Sequence, residues 1–266
     1  SLVLQPISLP VTSFAHIVDQ FWKGVTPRTK VIYLSHITSP TALCMPVEEI
    51  CKRAREAGII TIIDGAHAPG QMDIDLEALG ADFYVGNCHK WMLSAKGAGF
   101  LYARKEMQEM VEPLVVSWGW GSNSSYTTGS DFLDNLEWWG TKDPAAYLSI
   151  PAAIQFQEEH DWPSVRQECN QILREALRRI SELTGIPSVY PEGNGYFYQM
   201  AIAPLPAIDN LREFQIQLYN QYQVEAPCID WNGRSFIRIS IQEYNSLEDV
   251  NILLNALEEL LPNYQL

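Results

Sequence analysis

Two residues of this chain stand where covalent chemistry needs them. Asp64 directly follows the β-branched run 59–63, at the carboxyl end of an expected central strand. In open α/β sheets that end faces the ligand crevice, and a buried carboxylate there needs a partner; its plainer role is to cap the turn that follows. Lys90 lies between His89 and Trp91, just after another expected strand. A desolvated lysine gives up its proton readily and can form a Schiff base with a carbonyl compound. The alternative is a lysine whose stem lies along Trp91 while its amine reaches water. The chain has seven lysines and none after Lys142, so few residues compete for a Schiff-base role. Arg238 sits in the short β run RSFIRIS. Burying it calls for an anion, and its planar fork suits a carboxylate; on an edge strand it would face water instead.

Two further features carry less. His36, His67, Cys88 and His89 are of types that ligate zinc, but no HExxH or CxxC spacing occurs. A lone histidine is more often a hydrogen-bonded core residue, so no metal site is expected. Gly97-Ala98-Gly99 is neither a GxxxxGK[ST] loop nor a full GxGxxG. It reads as a close approach between a loop and the next strand.

Alternating strands and helices are needed to position these residues. Residues 31–35 (VIYLS) read as a strand, followed by the loop SHITSPTALCMP. A helix opens at Pro46 and ends at Gly58, with Val47, Ile50, Ala54 and Ala57 at helical spacing. The run 59–63 reads as a strand buried on both faces. A short helix near 75–79 and strands at 81–85 and 99–103 follow. Strand, helix, strand in this order predicts a parallel sheet with right-handed crossovers. Residues 117–142 hold four tryptophans, many Gly and Ser and little periodicity, which reads as a long functional loop. Helices are expected near 143–158, 164–184, 209–222 and 246–261, with strands at 196–203 and 235–240. The whole is an α/β chain, divided into a large domain over 1–150 and a smaller α+β domain over 151–266.

Composition bounds the function. With 266 residues, 47% of them hydrophobic and 19% charged, the chain is too apolar to be disordered. Acidic residues number 32 against 18 basic, a net charge of −14. That opposes a broad nucleic-acid or anionic-membrane role, which needs clustered Lys and Arg. Five cysteines without a CxxC suggest a reducing compartment. No segment reaches the ~18 apolar residues of a spanning helix, and the opening SLVLQPISLPVTSF lacks a basic n-region. The expectation is a soluble, cytoplasmic protein, with Asn123-Ser124-Ser125 a chance match to a glycosylation sequon.

Taken in order, several motifs resemble one family. Asp64-Gly-Ala-His67, Asn87-Cys-His89-Lys90, Lys96-Gly-Ala-Gly99, Gly140-Thr141 and Arg238-Ile-Ser240 with Tyr244-Asn245 are similar to class V aminotransferase-like enzymes. These are fold-type-I proteins dependent on pyridoxal 5′-phosphate (PLP), and they include the cysteine desulfurases. SHITSPT, DGAHAPGQ, GNCHKW and WWGTKDPAAY look most like the isopenicillin N epimerase-like subgroup. The resemblance implies a fold-type-I PLP-dependent transferase-like fold, with a mainly parallel sheet in a PLP-binding large domain. It also implies roles. Lys90 would hold PLP as an internal aldimine and later carry the α-proton. Asp64 would pair with the pyridine nitrogen, keeping the ring an electron sink. His67 would lie beside the ring and its phenolic oxygen. Ser39, at a position often Asn in the family, would reach the same oxygen. His89 would bind the phosphate, and Asn87, where many relatives carry Ser or Thr, can still donate to it. Gly140 and Thr141 would reach the phosphate of a neighbouring protomer, implying a homodimer with the site at its interface. Arg238 would clamp the α-carboxylate of a small amino-acid substrate.

Two departures from the family are visible. Members carry roughly a further third of chain before the point where this one starts, a large piece against domain-size priors. That part supplies a residue stacking on the ring and a turn for the phosphate, so the amino-terminal part of the large domain reads as missing. Desulfurases also place a nucleophilic Cys well upstream of the matching Arg, and here about Gln223 stands there. Cys228, between Pro227 and Ile229, reads as an inert buried thiol. The function expected is PLP-dependent chemistry at the α-carbon of an amino acid, of epimerase, lyase or aminotransferase type. The alternatives are a truncated non-catalytic relative acting as an interaction module through its Trp-rich segment, desulfurase-type sulfur transfer, and a metal-dependent hydrolase built on His67, Cys88 and His89.

Overall fold

The structure is a computed structural model that describes residues 1–121, 127–138 and 140–264. The sequon at Asn123 and the second half of the Trp138-Trp139 pair lie outside the described residues. Its amino-terminal half is built on a four-stranded sheet, β1 (Val31–Ser35), β2 (Ile60–Gly65), β3 (Phe83–Asn87) and β4 (Gly99–Ala103), in that spatial order. The first three run parallel, with Val31 opposite Ile60 and Ile62 opposite Phe83. The crossovers carry α2 (Val47–Glu56) and α3 (Leu76–Leu79). Helix α2 buries Val47, Ile50, Cys51 and Ala54, and its charges follow the helix dipole, with Glu48 and Glu49 in the first turn and Arg53 and Arg55 in the last. The expectation of parallel pairing fails at β4, which runs antiparallel to β3, Asn87 opposite Gly99. The 88–98 connection holds no helix to carry a parallel crossover, so the chain turns straight back.

The carboxyl-terminal half carries a second sheet in the order β5 (Met200–Pro204), β7 (Arg234–Ser240), β6 (Cys228–Trp231), all antiparallel. Helices α7 (Trp162–Thr184), α8 (Leu211–Tyr222) and α9 (Leu247–Tyr264) belong to this half. Strand β6, absent from the sequence reading, pairs through a turn at Asn232-Gly233, both at positive φ. Three other elements depart from expectation. Helix α1 (Phe14–Trp22) precedes the sheet, capped by Ser13, whose side chain accepts from the His16 backbone N–H. The supposed loop 117–142 contains α4 (Asp131–Glu137), and Asp134 within it accepts from Thr127 Oγ1 (2.6 Å), Thr128 N (2.8 Å) and Thr128 Oγ1 (2.8 Å). The helix expected over 143–158 is split into α5 (Ala145–Leu148) and α6 (Ile150–Glu159), with a proline in the first turn of the latter.

One apolar cluster runs through both halves. It takes Ile32, Leu34, Ile63 and Tyr84 from the first sheet, Leu173 and Ile180 from α7, and Ile202, Phe236 and Ile237 from the second. Only one face of the first sheet enters it. The other leaves Val31, Tyr33, Val85 and Leu101 exposed. Strand periodicity and register put Asp64 on this outer face. Among the described residues no helix is long and apolar enough to cross a membrane.

Candidate active site

Two loops meet at the carboxyl ends of β2 and β3, and two glycines let them. At Gly65, after Asp64, a Cβ would lie 2.1 Å from ring atoms of Tyr84. Gly70 has φ +90°, and a Cβ there would come within 2.3 Å of the Trp91 backbone carbonyl. The Asp64 loop thus touches the Lys90 loop main chain to main chain. From the far side, Gln157 Nε2 donates to Trp91 O (3.4 Å) and Ser149 Oγ accepts from Ala95 N (3.0 Å), pinning the Lys90 loop to α6 and its cap.

This contact brings Lys90 Nζ to 3.4 Å from His67 Nε2. On the other edge of the imidazole, Trp91 Nε1–H donates to Nδ1 at 3.3 Å. That donor fixes the tautomer: with Nδ1 accepting, the proton of neutral His67 resides on Nε2 and faces Lys90. Burial, then the charges of Lys90 and Arg238, pull the His67 pKa down to about 4 against the opposing pull of Asp64. The Lys90 pKa is also lowered, first by burial and further by Arg238, with Asp64 holding it up. A neutral histidine beside a lysine with a weakened hold on its proton favours free amine, the nucleophilic form.

Asp64 is held by three donors: Ala66 N to Oδ1 (3.0 Å), and Tyr33 and Ser35 hydroxyls to Oδ2 (3.4 Å each). The two hydroxyl contacts are long, so Oδ2 is weakly committed. Behind the carboxylate, the His36 backbone N–H donates to Asp64 O (2.8 Å), and His36 Nδ1 is hydrogen-bonded to the buried Tyr84 hydroxyl (3.0 Å). His89 Nδ1–H donates to Ala98 O (2.7 Å), which leaves Nε2 for a ligand. Asn87 ends β3 opposite Gly99. Arg238 crosses from the second sheet: its Nη1 donates to Ser39 O (2.7 Å) and Ser39 Oγ (3.3 Å), while its Nε is buried without a partner among the described residues.

Lys90, His67, Asp64 and Arg238 therefore converge: the charges of Lys90, Arg238 and Asp64 act on His67, and those of Asp64 and Arg238 on Lys90. Ser39 joins them through Arg238. Gly140 and Thr141 do not: they lie on the exposed segment after α4, with Gly140 at φ +111° and nearest to Ser117. The histidine and cysteine set does not gather into a metal site, since no group of three or more His, Cys, Asp or Glu among the described residues could hold an ion. Cys88 is buried, and burial raises its pKa. Burial also pushes the Cys228 thiol up to about 12, and its nearest hydrogen-bond acceptor is Ala226 O (3.9 Å). A cavity of about 390 Å³ opens beside Arg238, Ser240, Asn245 and Asp249. Lys90 does not line it. Sequence reading missed Trp91, Ser35, Tyr33 and Tyr84 as parts of the site. Strand alternation placed Tyr33 and Ser35 on one face with Asp64, and that signal was available.

Comparison with known proteins gives this arrangement a class and then a family. The fold is similar to the solved structure of a cysteine desulfurase from Thermococcus onnurineus NA1, with a TM-score of 0.74 over 94% of this chain and 63% of that one, at 20% identity. It is the fold-type-I architecture of PLP-dependent enzymes. The aminotransferase class-V family model matches residues 8–253, and the chain belongs to that family. It is 33% identical to the isopenicillin N epimerase of Amycolatopsis lactamdurans over 97% of this chain and 68% of that protein. To the isopenicillin N epimerase of Streptomyces clavuligerus it is again 33% identical, over 88% of this chain and 61% of the relative. The chain thus spans 61% to 68% of the length of these relatives. PLP is the family's cofactor, and the residues here fit it. A desolvated amine, a loosely held carboxylate and a buried guanidinium Nε lacking an acceptor are the three groups that an anionic pyridine aldehyde and a carboxylate substrate call for.

Proposed function

We propose that the whole protein is a PLP-dependent enzyme acting at the α-carbon of an amino acid, of epimerase or lyase type. Bound here, PLP supplies an electron sink for the charge left when a bond to the α-carbon breaks. The chain's own residues do the rest. Lys90 is the amine that would hold the cofactor and would move the α-proton of the substrate. Asp64, whose Oδ2 is only loosely held by Tyr33 and Ser35, would pair with the pyridine nitrogen and keep it protonated. His67, its proton fixed on Nε2 by Trp91, faces Lys90 and stands beside the ring. His89 and Asn87 would bind the phosphate, Ser39 would reach the phenolic oxygen, and Arg238 would receive the substrate carboxylate. Residues 1–150 form the cofactor-binding domain and 151–266 the smaller one. Gly140 and Thr141, on the exposed segment after α4, serve the site of a second protomer in a homodimer.

The observation that carries this reading is the 3.4 Å approach of Lys90 Nζ to His67 Nε2 beside Asp64. Two epimerases at 33% identity support epimerase chemistry, and a thiol as unreactive as Cys228 speaks against persulfide formation. Borohydride reduction of PLP-loaded full-length protein at pH 7, followed by peptide mass analysis, tests it. The reduced tag is expected on Lys90, and Lys90→Ala is expected to lose both tag and turnover. A tag confined to surface lysines such as Lys52 and Lys105 overturns the reading.

A further inference from the structure

Three glutamine side chains are buried where the two halves of the chain meet: Gln71 (2% exposed), Gln199 (0%) and Gln242 (8%). Buried amides are costly unless both ends are satisfied. Gln71 satisfies both. Its Nε2 donates to His67 O at 2.6 Å, and its Oε1 accepts from the Gln199 backbone N–H at 2.9 Å. The orientation of the amide is forced, because one neighbour is a carbonyl and the other an N–H. Gln199 then grips the end of β7. Its carbonyl accepts from Ile241 N (2.9 Å), and its Nε2 donates to Ile241 O (3.2 Å) and Gln242 Oε1 (3.1 Å). Gln242 Oε1 also accepts from Glu243 N (3.1 Å). The Gln199 Oε1 has no strong donor among the described residues, and the Cys169 thiol reaches the same amide.

The line runs from the His67 carbonyl through Gln71 and Gln199 to Ile241, just past the end of β7 and three residues beyond Arg238. A second bridge, Arg238 Nη1 to Ser39 O, crosses the same divide. Packing alone needs neither amide, since apolar side chains of similar size would fill the same space without unsatisfied polar atoms. Polar groups retained in a core define geometry.

We infer that Gln71 and Gln199 are positioning residues that set the spacing between the His67–Lys90 cluster and Arg238. They touch neither cofactor nor substrate. The inference rests on the function proposed above and adds the residues that hold the carboxylate clamp in register with the cofactor.

The test uses the full-length protein loaded with PLP and two near-isosteric variants, Gln71→Met and Gln199→Met. The probe is 2-methylalanine, an α-amino acid without an α-proton, whose binding is read from cofactor absorbance. Both variants are expected to bind PLP and to weaken probe binding by on the order of tenfold, since small misplacements of binding groups cost that much or more. Hydrogen exchange should show the Gln199 amide losing protection in Gln71→Met, and the 241–245 segment losing it in Gln199→Met. A fall in melting temperature with unchanged probe affinity means that the glutamines hold the fold only, and overturns the positioning role alone. If wild-type protein takes up no PLP, the functional reading falls and the positioning role with it. In that event the exchange data still report whether the link between the two halves exists.

Discussion

Arg238 is the residue whose environment is least complete. One nitrogen of its guanidinium is used on Ser39, and another is buried with no acceptor among the described residues. A buried unpaired donor is costly, and an arriving carboxylate removes the cost. Arg238→Ala should therefore raise KM for carboxylate substrates by roughly 30-fold or more, because removing one member of a buried charge pair costs a few kcal/mol. The kcat should change less, and a steady-state rate series on the full-length protein separates the two. An unchanged KM removes Arg238 from the site. Asp64, Lys90 and Arg238 were legible in the sequence because a charged residue against an apolar strand needs a reason. Trp91 was read only as a surface for a lysine stem. Its function as donor to His67 depends on a contact made by folding, and spacing along the chain does not encode it.

Elements bring those residues together, and the tightest joint is Gly70 against the Trp91 backbone. Gly70→Ala asks an L residue to adopt φ +90° and puts a methyl group into a peptide carbonyl. We expect a loss of roughly 3 kcal/mol or more in urea unfolding, at the upper end for single substitutions. Free Lys90 amine should become less selectively labelled, as the loops part. A variant with wild-type stability would mean that the joint yields easily. Spacing along the sequence does not show which glycine meets another backbone. Elsewhere a legible signal went unread: Asn232-Gly233 between apolar flanks is a strong hairpin mark, and it makes β6. The antiparallel return of β4 was harder to see, because alternation of strand and helix dominates the pattern on either side of it. In α4 the helix signal was a Ser130 cap followed by a short run, hidden among Gly and Ser.

At the scale of the whole molecule, one core serves both sheets, so a cost incurred at one point is borne by all of it. His36 is such a point. It is 3% exposed, and burial lowers its pKa from 6.5 to about 4. The folded protein therefore holds His36 neutral while the unfolded chain protonates it. Its contribution is complete above pH 6.5 and lost as pH falls toward 4. From pH 7 to pH 5 this amounts to about 2 kcal/mol, taking about 1.4 kcal/mol per pKa unit. Urea unfolding at the two pH values, compared with His36→Gln, should show a smaller pH effect in the variant; an equal effect assigns the loss to other groups. The α/β class and the family were visible from motifs that survive any folding detail. Which face of the first sheet lies open was not, since Ile and Tyr stand on both faces.

The convergence of Lys90 and Arg238 has a kinetic consequence. The Arg238 guanidinium lies in a chain of net charge −14, so an approaching anion first meets repulsion and feels attraction only at close range. Dissolved salt weakens distant forces far more than contacts within a few ångströms. Moderate ionic strength should thus hasten the encounter with an anionic ligand, the reverse of ordinary electrostatic steering.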